Sequence, residues 1–113
     1  MRELLAQVAK PGIVDNCCIL EGAEITVSTF SSQQRNHETV AKKAFSYVFQ
    51  NVSKIRTNHN EAHLEIGSKR LSGFILQDGR ILICMSGKET NVGLVRDHVA
   101  LIKPKFEATE ESL

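Results

Sequence analysis

Apolar residues change their period along the chain, and each change marks an element. Leu4, Leu5 and Val8 fall on one face of a helix over residues 2–10, which Pro11-Gly12 ends. Residues 13–21 are strand-like and nearly all apolar through Cys17-Cys18-Ile19-Leu20. Glu21-Gly22-Ala23-Glu24 turns the chain into 25–30, where Ile25 and Val27 alternate with Thr26 and Ser28, so the pair predicts a hairpin. Asn36 is placed to cap a long helix reaching about residue 56. Over 62–67, Leu64 and Ile66 alternate with His63 and Glu65. Apolar runs at 71–76 and 80–85 flank Gln77-Asp78-Gly79, and Asp-Gly between such runs signals a hairpin because both residues tolerate positive φ. Leu94, Val95, Val99 and Ile102 predict a last helix, opened by Thr90 or Asn91 and stopped by Pro104.

Apolarity also sorts the strands. Ile81-Leu82-Ile83-Cys84-Met85 has no polar face, so both its sides must be covered. Cys17–Leu20 and Phe74–Leu76 are similar, whereas 25–30 and 62–67 alternate as edge strands do. With two hairpins fixed, the fold is an α/β sandwich of three layers. A five-stranded antiparallel sheet has the order 2-1-5-4-3, the middle helix covers one face and the terminal helices the other. A single domain spans residues 1–104. Residues 105–113, Lys-Phe-Glu-Ala-Thr-Glu-Glu-Ser-Leu, read as a flexible acidic tail.

The middle helix is more apolar than one sheet requires. Tyr47, Val40, Ala44, Ile55, Val48, Ala41, Val52, Phe45 and Phe49 sweep about 200° of a wheel, where little more than 100° suffices. Phe45, Phe49 and Val52 form the surplus, a shoulder that would face water unless a second copy covers it. Leu64 and Ile66, on the strand with a free edge, join them as expected dimer-interface residues.

Composition bounds the function. With 113 residues, 42% hydrophobic and 24% charged, the chain is neither disordered nor fibrous. A net charge of +1 offers no field for nucleic acid or anionic membrane, and 5% aromatic content without Trp offers no stacking platform for bases. The longest apolar run, Ile81–Met85, is far short of the roughly 20 residues that span a bilayer. The polar N-terminus does not read as a signal peptide. Three cysteines among apolar neighbours read as buried free thiols in a reducing cytoplasm.

No catalytic equipment assembles. His59 and His63 are four apart but fall on loop and strand, so no metal site is expected. Gly87-Lys88 suggests a phosphate loop, yet Leu82 stands where that motif needs Gly, and Glu89 separates Lys88 from Thr90. The helix opened by Thr90 and Asn91 offers at most a weak anion site. Asn51-Val52-Ser53 fits the glycosylation pattern but lies mid-helix. The expectation is a chain that is not an enzyme, needs no cofactor and neither binds nor hydrolyses nucleotide.

The order of elements resembles the roadblock family, the dynein light chain and small-GTPase regulator domains of the roadblock/longin superfamily. Gly79-Arg80-Ile81-Leu82-Ile83-Cys84-Met85 is similar to the family's buried last strand, and Asn91-Val92-Gly93-Leu94-Val95-Arg96 to the start of its last helix. The first helix, Pro11-Gly12, the first hairpin and the long middle helix fit as well, so the resemblance covers about residues 1–103. The Glu21–Glu24 turn departs from the usual Gly- and Asp-rich hairpin. The related longin and profilin folds share the three-layer plan.

The resemblance implies homodimers or heterodimers that pair their middle helices and join edge strands. Such dimers are platforms for Ras-like GTPases, motor or signalling complexes, and some activate a GTPase without a catalytic residue of their own. The competing reading is a small-ligand sensor of the profilin or PAS type, with a cavity between sheet and middle helix.

Overall fold

The computed structural model describes residues 2–55, 60–76 and 79–111. Among these residues, three α-helices and five strands follow one another as α1 (Arg2–Val8), β1 (Asn16–Glu21), β2 (Glu24–Ser28), α2 (Arg35–Ile55), β3 (Glu61–Ile66), β4 (Lys69–Ile75), β5 (Ile81–Gly87) and α3 (Val92–Glu111). The strands form one antiparallel sheet in the order β2-β1-β5-β4-β3. The expected sandwich is therefore present: α2 lies on one face, α1 and α3 on the other.

Alternation along each strand feeds two separate cores. Cys18, Leu20, Leu71, Ile81, Ile83 and Met85 point toward α2, where Ala41, Phe45 and Phe49 meet them. Cys17, Ile19, Phe74, Leu76, Leu82 and Cys84 point the other way, toward Leu5 and Val8 of α1 and Val95, Val99, Ile102 and Phe106 of α3. The central strand β5 is buried on both faces, as its unbroken apolar run requires. Gly79, with φ +91°, turns β4 into β5, and the ladder closes at Ile75↔Ile81. Gln77 and Asp78 of that turn lie outside the described residues.

Three boundaries differ from expectation. The long helix is not capped at Asn36. A short 3-10 turn, Ser32–Gln34, leads into Arg35, and the Ser31 backbone N–H donates to Gln34 Oε1 at 2.9 Å, which fixes the chain before Asn36 is reached. The first strand is shorter, since Lys10 and Val14 pair with each other across Pro11–Ile13 before β1 begins. Pro104 does not stop the last helix, which runs on to Glu111. Pro104 removes one donor, but that loss falls on an exposed turn, while Phe106 is fully buried and continues the face begun by Val99 and Ile102. Burial of a phenylalanine outweighs one helical hydrogen bond.

Candidate protein–protein interface

The expected surplus of the middle helix is located differently from the sequence reading. Phe45 and Phe49 do not form a shoulder in water; they are 1% and 4% exposed. The reason is Gly73 in β4. A Cβ built there would lie 2.9 Å from Phe45 Cδ1 and 3.1 Å from Phe49 Cε2, so the absent side chain is what admits both rings. The rings sit with centroids 6.2 Å apart. Val52 lies on α2, but its side chain is outside the described residues.

With Ala41, Phe45 and Phe49 pointing down, periodicity fixes the two flanks of α2. One flank is polar and faces β2: Glu38 accepts from the Ser28 hydroxyl, Lys42 reaches Glu24 at 3.4 Å, and the Ser46 hydroxyl donates to the Gly22 carbonyl at 3.3 Å. The opposite flank faces β3 and is apolar. It carries Val40, Ala44 and Val48, all half-buried, with Tyr47 beyond them 70% exposed. His37 shares this flank, and its Nδ1 is buried without a partner.

β3 is the edge strand on that side. Ala62, Leu64 and Ile66 point toward the α2 core and are only partly covered. The expected interface residues thus separate into two groups. Leu64 and Ile66 lie on the half-open strip, whereas Phe45 and Phe49 lie beneath it. The shoulder left partly open is the other end of the arc, Val40, Ala44, Tyr47 and Val48. The signal that distinguishes them was in the sequence: a glycine inside an apolar strand marks a place where something large approaches.

The opposite side of β3 is charged. Arg96 of α3 donates to both Glu61 carboxylate oxygens at 2.8–3.0 Å. Donation from Arg96 holds the Glu61 carboxyl below its ordinary value. His63 is placed between two partners, with Nε2 2.7 Å from Glu61 Oε2 and Nδ1 2.8 Å from the buried Ser72 hydroxyl. Both ring nitrogens are thereby engaged, and His59 lies outside the described residues. No group of three His, Cys, Asp or Glu among the described residues could hold a metal. Asn91 Oδ1 accepts from the Gly93 N–H at 2.7 Å, so the start of α3 is occupied by its own cap.

The cysteines are buried free thiols. Burial pushes the Cys17 thiol up to about 11 and raises Cys18 and Cys84 well above the ordinary thiol value. At neutral pH they are un-ionised and poor nucleophiles.

This arrangement defines a fold before it defines a partner: a β2-β1-β5-β4-β3 sheet between one crossover helix and two terminal helices, which is the roadblock/LC7 fold. Its coordinates are similar to those of Myxococcus xanthus MglB, with a TM-score of 0.76 at 15% identity over 98% of this chain and 97% of that one. A roadblock/LC7 domain from Streptomyces avermitilis matches with a TM-score of 0.79 at 11% identity over 98% of each chain. MglC from Myxococcus xanthus matches with a TM-score of 0.64 at 14% identity over 96% of this chain and 97% of that one. No family model and no curated protein sequence matches the chain. No helix among the described residues is long and apolar enough to cross a membrane.

Proposed function

We propose that this chain is a non-catalytic interaction module of a small-GTPase system, which pairs with a second copy and in that form binds a Ras-like GTPase. The observation that carries the reading is the strip Val40–Ala44–Tyr47–Val48 beside Ala62, Leu64 and Ile66. An apolar strip flanked by an edge strand is what a second copy covers, through helix pairing on one layer and strand addition on the other. The GTPase is supported by the roadblock fold and by likeness to MglB and MglC. The three free thiols fit a reducing cytoplasm.

The sensor reading has less support. Phe45, Phe49, Leu71 and Met85 fill the space between α2 and the sheet. A cleft of about 300 Å³ between α2 and β2 is lined by Glu24, Arg35, Glu38 and Lys42, which largely serve one another or β2.

Light scattering at micromolar concentration tests the pairing. The unmodified chain should show twice the protomer mass. Val48→Asp should give a monomer with its fold intact, because Val48 is only half-buried. A monomeric mass for the unmodified chain overturns the reading. For the partner, pull-down from native lysate should recover a small GTPase, and titration with its GDP- and GTP-analogue-loaded forms should show unequal affinities, since a regulator acts through such a difference. Equal affinities, or recovery of a small molecule alone, would favour the alternative.

A further inference from the structure

Two of the three cysteines stand directly opposite each other on neighbouring central strands. β1 pairs antiparallel with β5, and the register sets Cys17 against Cys84. Both side chains enter the core beneath α1 and α3 and are fully buried. The backbone of Cys17 is turned the other way, toward the β2 side. Its N–H donates to Thr29 Oγ1 at 3.0 Å, and its carbonyl accepts from the Thr29 N–H at 2.9 Å. The N–H and C=O of one strand residue point to the same side, so Cys17 and Cys84 form a non-hydrogen-bonded pair. Such pairs bring their Cα atoms to about 4.5 Å, with side chains closer than at hydrogen-bonded positions. A disulfide takes Cα separations of roughly 4.4–6.8 Å, so the backbone already stands where that bond needs it.

The pleat excludes the third cysteine. Cys18 follows Cys17 on β1 but points to the α2 face, into the core that holds Phe45 and Phe49. Its partner on β5 is Ile83. It therefore faces neither of the other thiols. The Cys17 thiol donates to the Leu5 carbonyl at 3.3 Å, and that carbonyl also accepts from the Ala9 N–H at 3.0 Å. Loss of the thiol hydrogen thus leaves the carbonyl satisfied. Leu5 belongs to α1, a helix of seven residues, so local opening of α1 uncovers Cys17 first.

We propose that Cys17 and Cys84 are a covalent redox site, at which hydrogen peroxide converts two opposed thiols into a cross-strand disulfide that ties β1 to β5. The oxidant is hardly larger than water, which suits a buried pair. The Cys17 sulfur, once ionised, attacks one peroxide oxygen, breaks the O–O bond and releases hydroxide, which leaves a sulfenic acid. The Cys84 thiolate then attacks that sulfur, forms the S–S bond and expels a second hydroxide. The two hydroxides take up the two thiol protons. Two thiols and one peroxide thus give one disulfide and two waters. Both steps need thiolates, and burial keeps these scarce, so the pair rests reduced and closes slowly. Cys17 and Cys84 are far apart in sequence, so the bond closes a long loop of the unfolded chain and stabilises the fold. The site involves neither the α2 strip nor a GTPase.

Peptide mapping of the full chain tests this. The folded protein is treated with excess hydrogen peroxide, its remaining thiols are alkylated, and the digest is read by mass spectrometry. The expected product links Cys17 to Cys84, leaves Cys18 alkylated and reverts with dithiothreitol. The linked chain should unfold at a higher urea concentration than the reduced one. The same treatment in concentrated urea should spread the link over both Cys17 and Cys18, because only the folded register separates them. Cys18→Ala should link as the unmodified chain does. Cys17→Ala should lose the link, although Cys18 is next to it in sequence. If either variant fails to fold, the comparison of folded and urea-treated unmodified chain decides alone. A folded chain that joins Cys18 to Cys17 or to Cys84 overturns the proposal. So does one that shows only alkylated or over-oxidised cysteines, one that gives the same pattern folded and unfolded, or a linked chain no more resistant to urea.

Discussion

Among the described residues, nine buried apolar side chains form the core on the face covered by the single helix α2. On the other face, α1 and α3 help enclose thirteen among the described residues. The partly covered apolar residues run the other way: Ile25, Phe30, Ala62, Leu64, Ile66 and Ile75 on the α2 face, against Leu4, Ile13 and Val27 opposite. One helix about 10 Å wide cannot cover five strands spaced nearly 5 Å apart. The deficit falls at the sheet's margins. β3 shows the consequence on a single strand. Its α2-facing residues are apolar and half-open, while Glu61 and His63 on its other face are held by Arg96 and Ser72. The first face stays partly open, and the second is finished within this chain.

The largest way to break this comparison acts on the closed face. Phe106→Ala removes a fully buried ring that lies beyond Pro104. Truncations of this kind cost roughly 3–5 kcal/mol, a large share of a small domain's stability. A urea midpoint that falls sharply would show that the chain past Pro104 closes the α1/α3 core. An unchanged midpoint would detach the last turns of α3 from the domain.

The next acts on the α2 face. Gly73→Ala places a methyl 2.9 Å from the Phe45 ring. Overpacking of this sort costs about 1–3 kcal/mol. Because the rings support the half-open strip from below, the variant should also weaken pairing by shifting α2. Loss of stability with no change in mass would separate the core from the strip. Preserved stability would mean the rings have room to move.

The architecture was legible because period and apolarity act locally. The all-apolar β5 demanded cover on both sides, and the alternating β2 and β3 demanded edges. The apolar strip was legible as a surplus but not as a position. A wheel shows how wide an apolar arc is without showing where its centre points. That centre was set by volume and polarity together: the two phenylalanines went inward to the gap that Gly73 provides, while Tyr47, with its hydroxyl, stayed outside. Pro104 misled for a similar reason, since a local breaker says nothing of a distant phenylalanine with a core to enter. The Glu61–Arg96 pair was not foreseeable, because its partners are 35 residues apart on different layers.

That pair gives the smallest expected effect and the sharpest test of the finished face of β3. Donation from Arg96 lowers the Glu61 carboxyl below its ordinary value of 4.5. The unfolded chain therefore takes up a proton first as the solution is acidified. The stabilising contribution is complete above 4.5 and is lost as pH falls through the folded value. Glu61→Gln should be slightly less stable than the unmodified protein at pH 7, by less than Gly73→Ala, because Arg96 is half-exposed and solvent screens the pair. Chemical denaturation between pH 7 and pH 3 should show the two proteins converging in the acid range. Added salt should narrow the gap at pH 7, since the charges on this edge are within reach of counterions. A gap that stays constant with pH would mean that Glu61 acts by packing against β4, and that the charged side of β3 is closed by shape instead of by ion pairing.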